Sequence, residues 1–328
     1  MDGSWTESSL HDFAGGDDGT CPGELLFDGT GNLYSATIQG GVYGGGIVFE
    51  LTPNSDGTWT ESVLYAFTGS ADGAYPDAPL IFDANGALYS TVVNGGAHDW
   101  GGVFKLTPGS DGSWSESILY AFTGGKDGGH PVTGLIFDAT GNLYGTTYWG
   151  ANRSCKHGCG VVFKLKPSGD GSWTENVLHT FTGKDGAYPA GWLISDAVGN
   201  LYGATDIGGL NGDGVVFKIT PAQPGSWKVL HQFAGEGRAA WGGCGLTFDG
   251  AGNLYGTRIV GGAYHHGVVF RLAPTPSGGW QETVLHAFHD TPGADPDGGV
   301  IFDAAGNLYG MTSGDGSKAF GSVYEITP

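Results

Sequence analysis

Gly134-Leu-Ile-Phe-Asp-Ala-Thr-Gly-Asn-Leu-Tyr-Gly-Thr-Thr147 and, one loop later, Gly160-Val-Val-Phe-Lys-Leu165 decide the fold. The apolar runs at 135–137, 142–147 and 161–165 are too short for helices, and Asp and Gly bound them, as they bound β-strands. Asp138-Ala-Thr-Gly-Asn142 reads as a tight hairpin, with Asp bonding the turn backbone and Gly taking positive φ. Val161-Val162-Phe163 is apolar on both faces, which suits a strand sandwiched between neighbouring sheets.

The same wording recurs along all 328 residues. A Trp column stands at Trp5, Trp59, Trp114, Trp173, Trp227 and Trp280, at spacings of 54, 55, 59, 54 and 53 residues. Asp-x-x-Gly-Asn-Leu-Tyr starts at Asp28, Asp83, Asp138, Asp196, Asp249 and Asp303, with Ala87 replacing Asn once. A Leu-[Tyr/His]-x-Phe column ends at Phe13, Phe67, Phe122, Phe181, Phe233 and Phe288, and a Val-Phe-Lys-Leu-x-Pro column at Pro53, Pro108, Pro167, Pro221, Pro274 and Pro328. Fixed-period self-similarity marks a repeat architecture. Four strands per unit and six units predict an all-β, six-bladed β-propeller of four-stranded antiparallel blades, one domain over 1–328; a β-solenoid would want shorter coils and capping repeats. The chain opens on a lone Trp strand and ends after its usual predecessor. The strand at 4–13 is therefore expected to complete the C-terminal blade and close the ring.

Composition narrows the function classes. A formal net charge of -20 repels phosphate backbones, so no nucleic-acid partner is expected. No apolar run is long enough to span a membrane. Met1 leads directly into Asp2-Gly3-Ser4-Trp5, as in a trimmed mature chain or a cytosolic protein. Of four cysteines, Cys155 and Cys159 share the longest insertion and form a disulfide or, with His157, contribute to a zinc site. Cys21 and Cys244 are expected to be free.

The repeats resemble the GloVer tandem repeat of bacterial surface proteins, and the Asp-x-x-Gly-Asn-Leu-Tyr core is similar to NHL-type and gluconolactonase-type six-bladed propellers. The first resemblance implies an extracellular or cell-surface protein and favours the disulfide. The second implies that the Leu-Ile-Phe strand is innermost and the Trp strand outermost. Neither carries a catalytic motif to this chain.

Residues that recur in every repeat serve the fold, so function is sought where repeats differ. Six of ten Trp belong to the column; Trp100, Trp149, Trp192 and Trp241 do not. These four fall in, or at the edge of, the loop before the innermost strand and the loop after Asn-Leu-Tyr. Both loops emerge on one side of a four-stranded meander, the top face. Tyr75, Tyr188, His265 and His266 fall there too. The first expectation is a ligand-binding face for carbohydrate, small molecule or protein, since aromatic rings offer apolar area with polar rims; the plainer reading is loop packing. The alternative is a hydrolase of esters, lactones or phosphotriesters at the top of the channel. Glu24, Asp206 and Asp295 would hold Ca²⁺ or Zn²⁺, His130 would act as base and Arg258 would stabilise negative charge. Its plainer reading is a solvated acidic rim.

Overall fold

A computed structural model describes residues 8–234, 245–289, 293–314 and 321–328. It has six antiparallel sheets and, among the described residues, a single 3₁₀ turn at Gly16–Asp18. The chain is an all-β, six-bladed β-propeller. Two compact units divide it, Met1–Phe122 with blades one and two, and Thr123–Pro328 with blades three to six.

Blade three shows how the sequence builds each sheet. Its order is Ile136–Phe137, Leu143–Thr147, Val161–Pro167 and Trp173–Thr180. The Leu-Ile-Phe strand forms one edge and the Trp strand the other. Each blade thus takes the Trp strand that follows its own three strands. Val161, Val162, Phe163 and Leu165 are fully buried, as a strand apolar on both faces requires. The register shifts between Val162 and Phe163, and the same shift recurs at Val48/Phe49, Val103/Phe104, Val216/Phe217 and Val269/Phe270. A bulge there adds local twist to every blade in which it occurs.

The hairpin aspartate works as read. Asp138 Oδ1 accepts from the Thr140 and Asn142 backbone N–H groups, at 2.8 and 3.0 Å, and from Thr140 Oγ1. Oδ2 accepts from Asn142 Nδ2 at 2.7 Å and Tyr144 Oη at 2.9 Å. Burial opposes its charge, but the bonds from Asn142 and Thr140 outweigh it and hold the carboxyl well below the usual carboxylate range. In blade two Ala87 removes the amide, and Asp83 Oδ2 keeps only Tyr89 Oη at 3.0 Å, with Lys105 Nζ at 3.9 Å.

Neighbouring blades are pinned by backbone. Tyr188 N–H of blade four donates to Cys159 O of blade three at 3.0 Å, while within blade three Phe181 N–H donates to Gly160 O at 3.1 Å and holds that carbonyl edge in place. Gly160 sits at φ 84°, and a Cβ there would meet Thr147 O and Pro189 Cδ. Side chains seal the junction: Phe181 meets Phe217 edge-on at 5.5 Å, and His179 stacks on Trp227 at 3.6 Å.

The N-terminal strand falls partly outside the described residues, which begin at Ser8, and residues 8–13 form no strand. Blade six is three-stranded among the described residues. Phe13 nevertheless meets Phe49 edge-on at 5.1 Å, as Phe67 at the end of blade one meets Phe104 of blade two at 5.0 Å. The start of the chain therefore packs its Phe13 ring on blade one.

Candidate functional site on the loop face

The two variable loops of a blade do lie together. In blade three, Gly129 and Trp149 exchange backbone bonds at 3.0 Å, and Tyr148 N–H donates to His130 O at 3.0 Å. In blade two, Ala74 N–H donates to Asn94 O at 2.9 Å and Val93 N–H to Tyr75 O at 3.1 Å.

The residue before the usual Pro at the inner-strand entrance has an unexpected conformation. Cys21, Tyr75, His130, Tyr188 and Asp295 have φ of 57°, 60°, 52°, 57° and 55°. The left-handed region costs a non-Gly residue about 1–2 kcal/mol, and Gly would occupy it freely. The backbone reason is the blade junction. Tyr75, Tyr188 and Asp295 donate their N–H to Gly45, Cys159 and His266 carbonyls of the preceding blade, at 2.8, 3.0 and 3.0 Å. Nothing in that bond needs a side chain, yet the chain places Cys, Tyr, His, Tyr and Asp on one repeated backbone. Strain kept at equivalent positions under different side chains points to side-chain use. The sequence singled out these residues by type, but only the φ angles set the column apart. The sixth member, Trp241, lies outside the described residues.

Around His130 and Tyr188 the structure assembles an aromatic group. His130 meets Trp149 edge-on at 4.4 Å, and Trp149 meets His157 at 4.9 Å. Tyr148 stacks on Tyr188 at 5.0 Å and donates its hydroxyl to Asp206 Oδ2 at 2.9 Å. Asp206 is fully buried at the end of strand Leu201–Ile207. The insertion carrying His157 is closed by a Cys155–Cys159 disulfide.

Other singled-out residues scatter. Trp192 is half-buried at the inner edge of blade four, where a Cβ on Gly245 of blade five would collide with its ring. The bare glycine makes room for the indole, so Trp192 fills space between inner edges. Arg258 is buried; it lies 5.0 Å over the Phe233 ring and 3.8 Å from Glu282 Oε1, while His231 Nε2 is 3.0 Å from Glu282 Oε2. Burial works against the Glu282 charge, but His231 and Arg258 outweigh it and lower its pKa. Glu24 is exposed at the inner edge of blade one, and Cys21 is an exposed free thiol. Trp100 is half-buried and His265 exposed at φ 66°. His266 acts through its carbonyl at the blade junction. Among the described residues no three His, Cys, Asp or Glu side chains group as a metal-holding set, and no helix is long and apolar enough to cross a membrane.

The chain matches the Gloeobacter/Verrucomicrobia repeat over residues 2–156 and 151–328, all but its first residue. It belongs to that family. No curated protein matches it. Solved structures share the fold at low identity. A luciferin-regenerating enzyme aligns at TM-score 0.53 and 16% identity, over 94% of this chain and 92% of its own. The PQQ-bound aldose sugar dehydrogenase of Streptomyces coelicolor aligns at 0.54 and 13%, over 97% and 96%. An ancestral GH74 enzyme aligns at 0.60 and 13%, over 92% of this chain and 41% of its own. At these identities the likeness reaches the fold alone.

Proposed function

We propose that this family member is an exported carbohydrate-binding propeller whose principal site is the loop face of blades three and four. The observation that carries the reading is the pair His130 and Tyr188, held at positive φ beside Trp149 and Tyr148. Rings supply flat apolar area for the C–H face of a sugar. The imidazoles of His130 and His157 and the Tyr188 hydroxyl supply polar rims for its hydroxyl groups. The acidic surface disfavours anionic ligands. Export rests on the family resemblance to bacterial surface proteins and agrees with the small disulfide loop.

The hydrolase alternative draws less from the geometry. Arg258 is engaged with Glu282 and Phe233, and Asp206 with Tyr148. The test is a titration of neutral oligosaccharides followed by Trp emission, with elemental analysis of the same preparation. Saturable binding lost in Trp149→Ala is the expected result. A stoichiometric Ca²⁺ or Zn²⁺ with ester turnover, and no sugar response, would transfer the assignment to the hydrolase.

A further inference from the structure

Blades one and two carry a recess within the first compact unit. It has a volume of about 270 Å³ and is lined by Tyr43, Tyr75, Asn94, Asp99 and loop glycines. Tyr43 is 65% exposed, so its ring is free to cover a ligand. Tyr75 and Asp99 are both held at positive φ, 60° and 61°. Asp99 Oδ1 accepts the Gly95 N–H at 3.2 Å. The Asn94 side-chain oxygen is buried with no hydrogen-bond partner. A buried carbonyl without a donor carries an uncompensated desolvation cost, which a bound O–H or N–H group removes.

These features define the ligand by its chemistry. The recess offers acceptors, a carboxylate and two tyrosine rings, and no Lys, Arg or His lines it. A ligand must therefore bring donors and an apolar face, and must not bring an anion. Its size lies just below the usual range of small-molecule sites, about 300–1,000 Å³. One ring fits that size better than a chain. We propose that this recess is a separate subsite for a single neutral pyranose unit, seated between Tyr43 and Tyr75 with a hydroxyl directed at Asn94. The choice of ligand class rests on the carbohydrate reading above; the place does not, because no lining residue belongs to the aromatic group of blades three and four.

The experiment uses the full chain labelled with 3-fluorotyrosine and titrated with methyl glucoside, galactoside and mannoside, with glucuronate as the anionic control. Tyr43→Phe and Tyr75→Phe assign the two signals. At least one neutral glycoside should shift both signals with a Kd of about 1–10 mM, and glucuronate should bind about tenfold more weakly or worse. Tyr75→Asn tolerates the left-handed backbone and so keeps the fold; it should weaken the response at least about tenfold, as should Asn94→Ala. No shift at either tyrosine with any glycoside, or full binding by Tyr75→Asn, overturns the proposal. The two readings fail separately. Glycoside binding that vanishes in Trp149→Ala and leaves Tyr43 and Tyr75 silent removes this subsite alone. A response at Tyr43 and Tyr75 with no Trp149-dependent binding removes the blade three and four site alone.

Discussion

Replacing Asp138 by Asn should cost more than replacing Asp83 by Asn, although both hold the same turn. In Asp138→Asn an NH₂ group replaces the charged oxygen that Asn142 Nδ2 and Tyr144 Oη now meet at 2.7 and 2.9 Å, so the amide faces another donor and the hydroxyl loses its bond to a charge. Each bond to a charged group contributes about 1.5–3 kcal/mol. The turn is partly solvated, so the lower end applies and the loss is about 3 kcal/mol. In Asp83→Asn only the Tyr89 bond is lost, because Ala87 offers no amide. The Lys105 contact at 3.9 Å adds little, since surface pairs give about 0–1 kcal/mol. The second variant should therefore lose about 1.5–2 kcal/mol. Guanidinium unfolding at neutral pH, read by far-UV circular dichroism and Trp emission together, measures both. Restoring the amide with Ala87→Asn should stabilise the chain by about 0.5–1.5 kcal/mol and bring the Asp83→Asn cost up to that of Asp138→Asn. Equal losses in the two single variants, or no gain from Ala87→Asn, would refute the claim that the carboxylate and amide act as one unit.

Four further outcomes follow from the same geometry. Glu116 and Glu175, on the outer strands, have carboxyls pushed up to about 7 by burial, reinforced by Asp72 and Asp127. A raised folded-state pKa means that stability is fully present below the unfolded value and is lost as pH rises through the folded value. Unfolding free energy should thus fall between about pH 4.5 and 8; Glu116→Gln should remove about 1–2 kcal/mol of that fall after solvent screening, and an unchanged pH profile would contradict it. The hairpin aspartates act oppositely: their lowered pKa contributes stability above the unfolded value near 4, lost as pH drops further. Gly160→Ala should destabilise by more than about 3 kcal/mol, since it adds positive-φ strain to a clash with backbone; a near-neutral melting shift would argue against the blade pin. Cys155→Ser should cost about 2 kcal/mol for so short a loop, measured by melting, and should weaken ligand binding by loosening His157 from Trp149.

Much of the fold was legible because the repeat states it six times. Doubly apolar runs such as Val161-Val162-Phe163 could only be sandwiched strands, and Asp138-to-Asn142 could only turn. The bulge after Val162 was not legible, because alternation of side chains does not report register. Of the site, Trp149, His130, Tyr188 and Asp206 were found by subtracting the repeat, and the structure brings them together. Arg258 also broke its column, but a charged residue replacing Thr can answer neighbours far away in sequence; here they are Glu282 on the outer strand of the same blade and the Phe233 ring of blade four. Trp192 broke a glycine column for a packing reason that lives in Gly245. The recess at Tyr43, Asn94 and Asp99 left no sequence mark beyond loop tyrosines, because an unpaired buried carbonyl is visible only in three dimensions.

The central claim is that the left-handed column is retained for its side chains. Tyr188→Gly tests it most directly, with stability and oligosaccharide binding measured on the same protein. Relief of backbone strain, about 1–2 kcal/mol, should nearly offset the lost Tyr148 stacking of about 0.5–1.5 kcal/mol and the extra chain entropy of about 0.5–1 kcal/mol. The account predicts stability within about 1 kcal/mol of the parent and ligand affinity down at least about tenfold. A loss of about 3 kcal/mol or more with affinity unchanged would make Tyr188 a packing residue and contradict it.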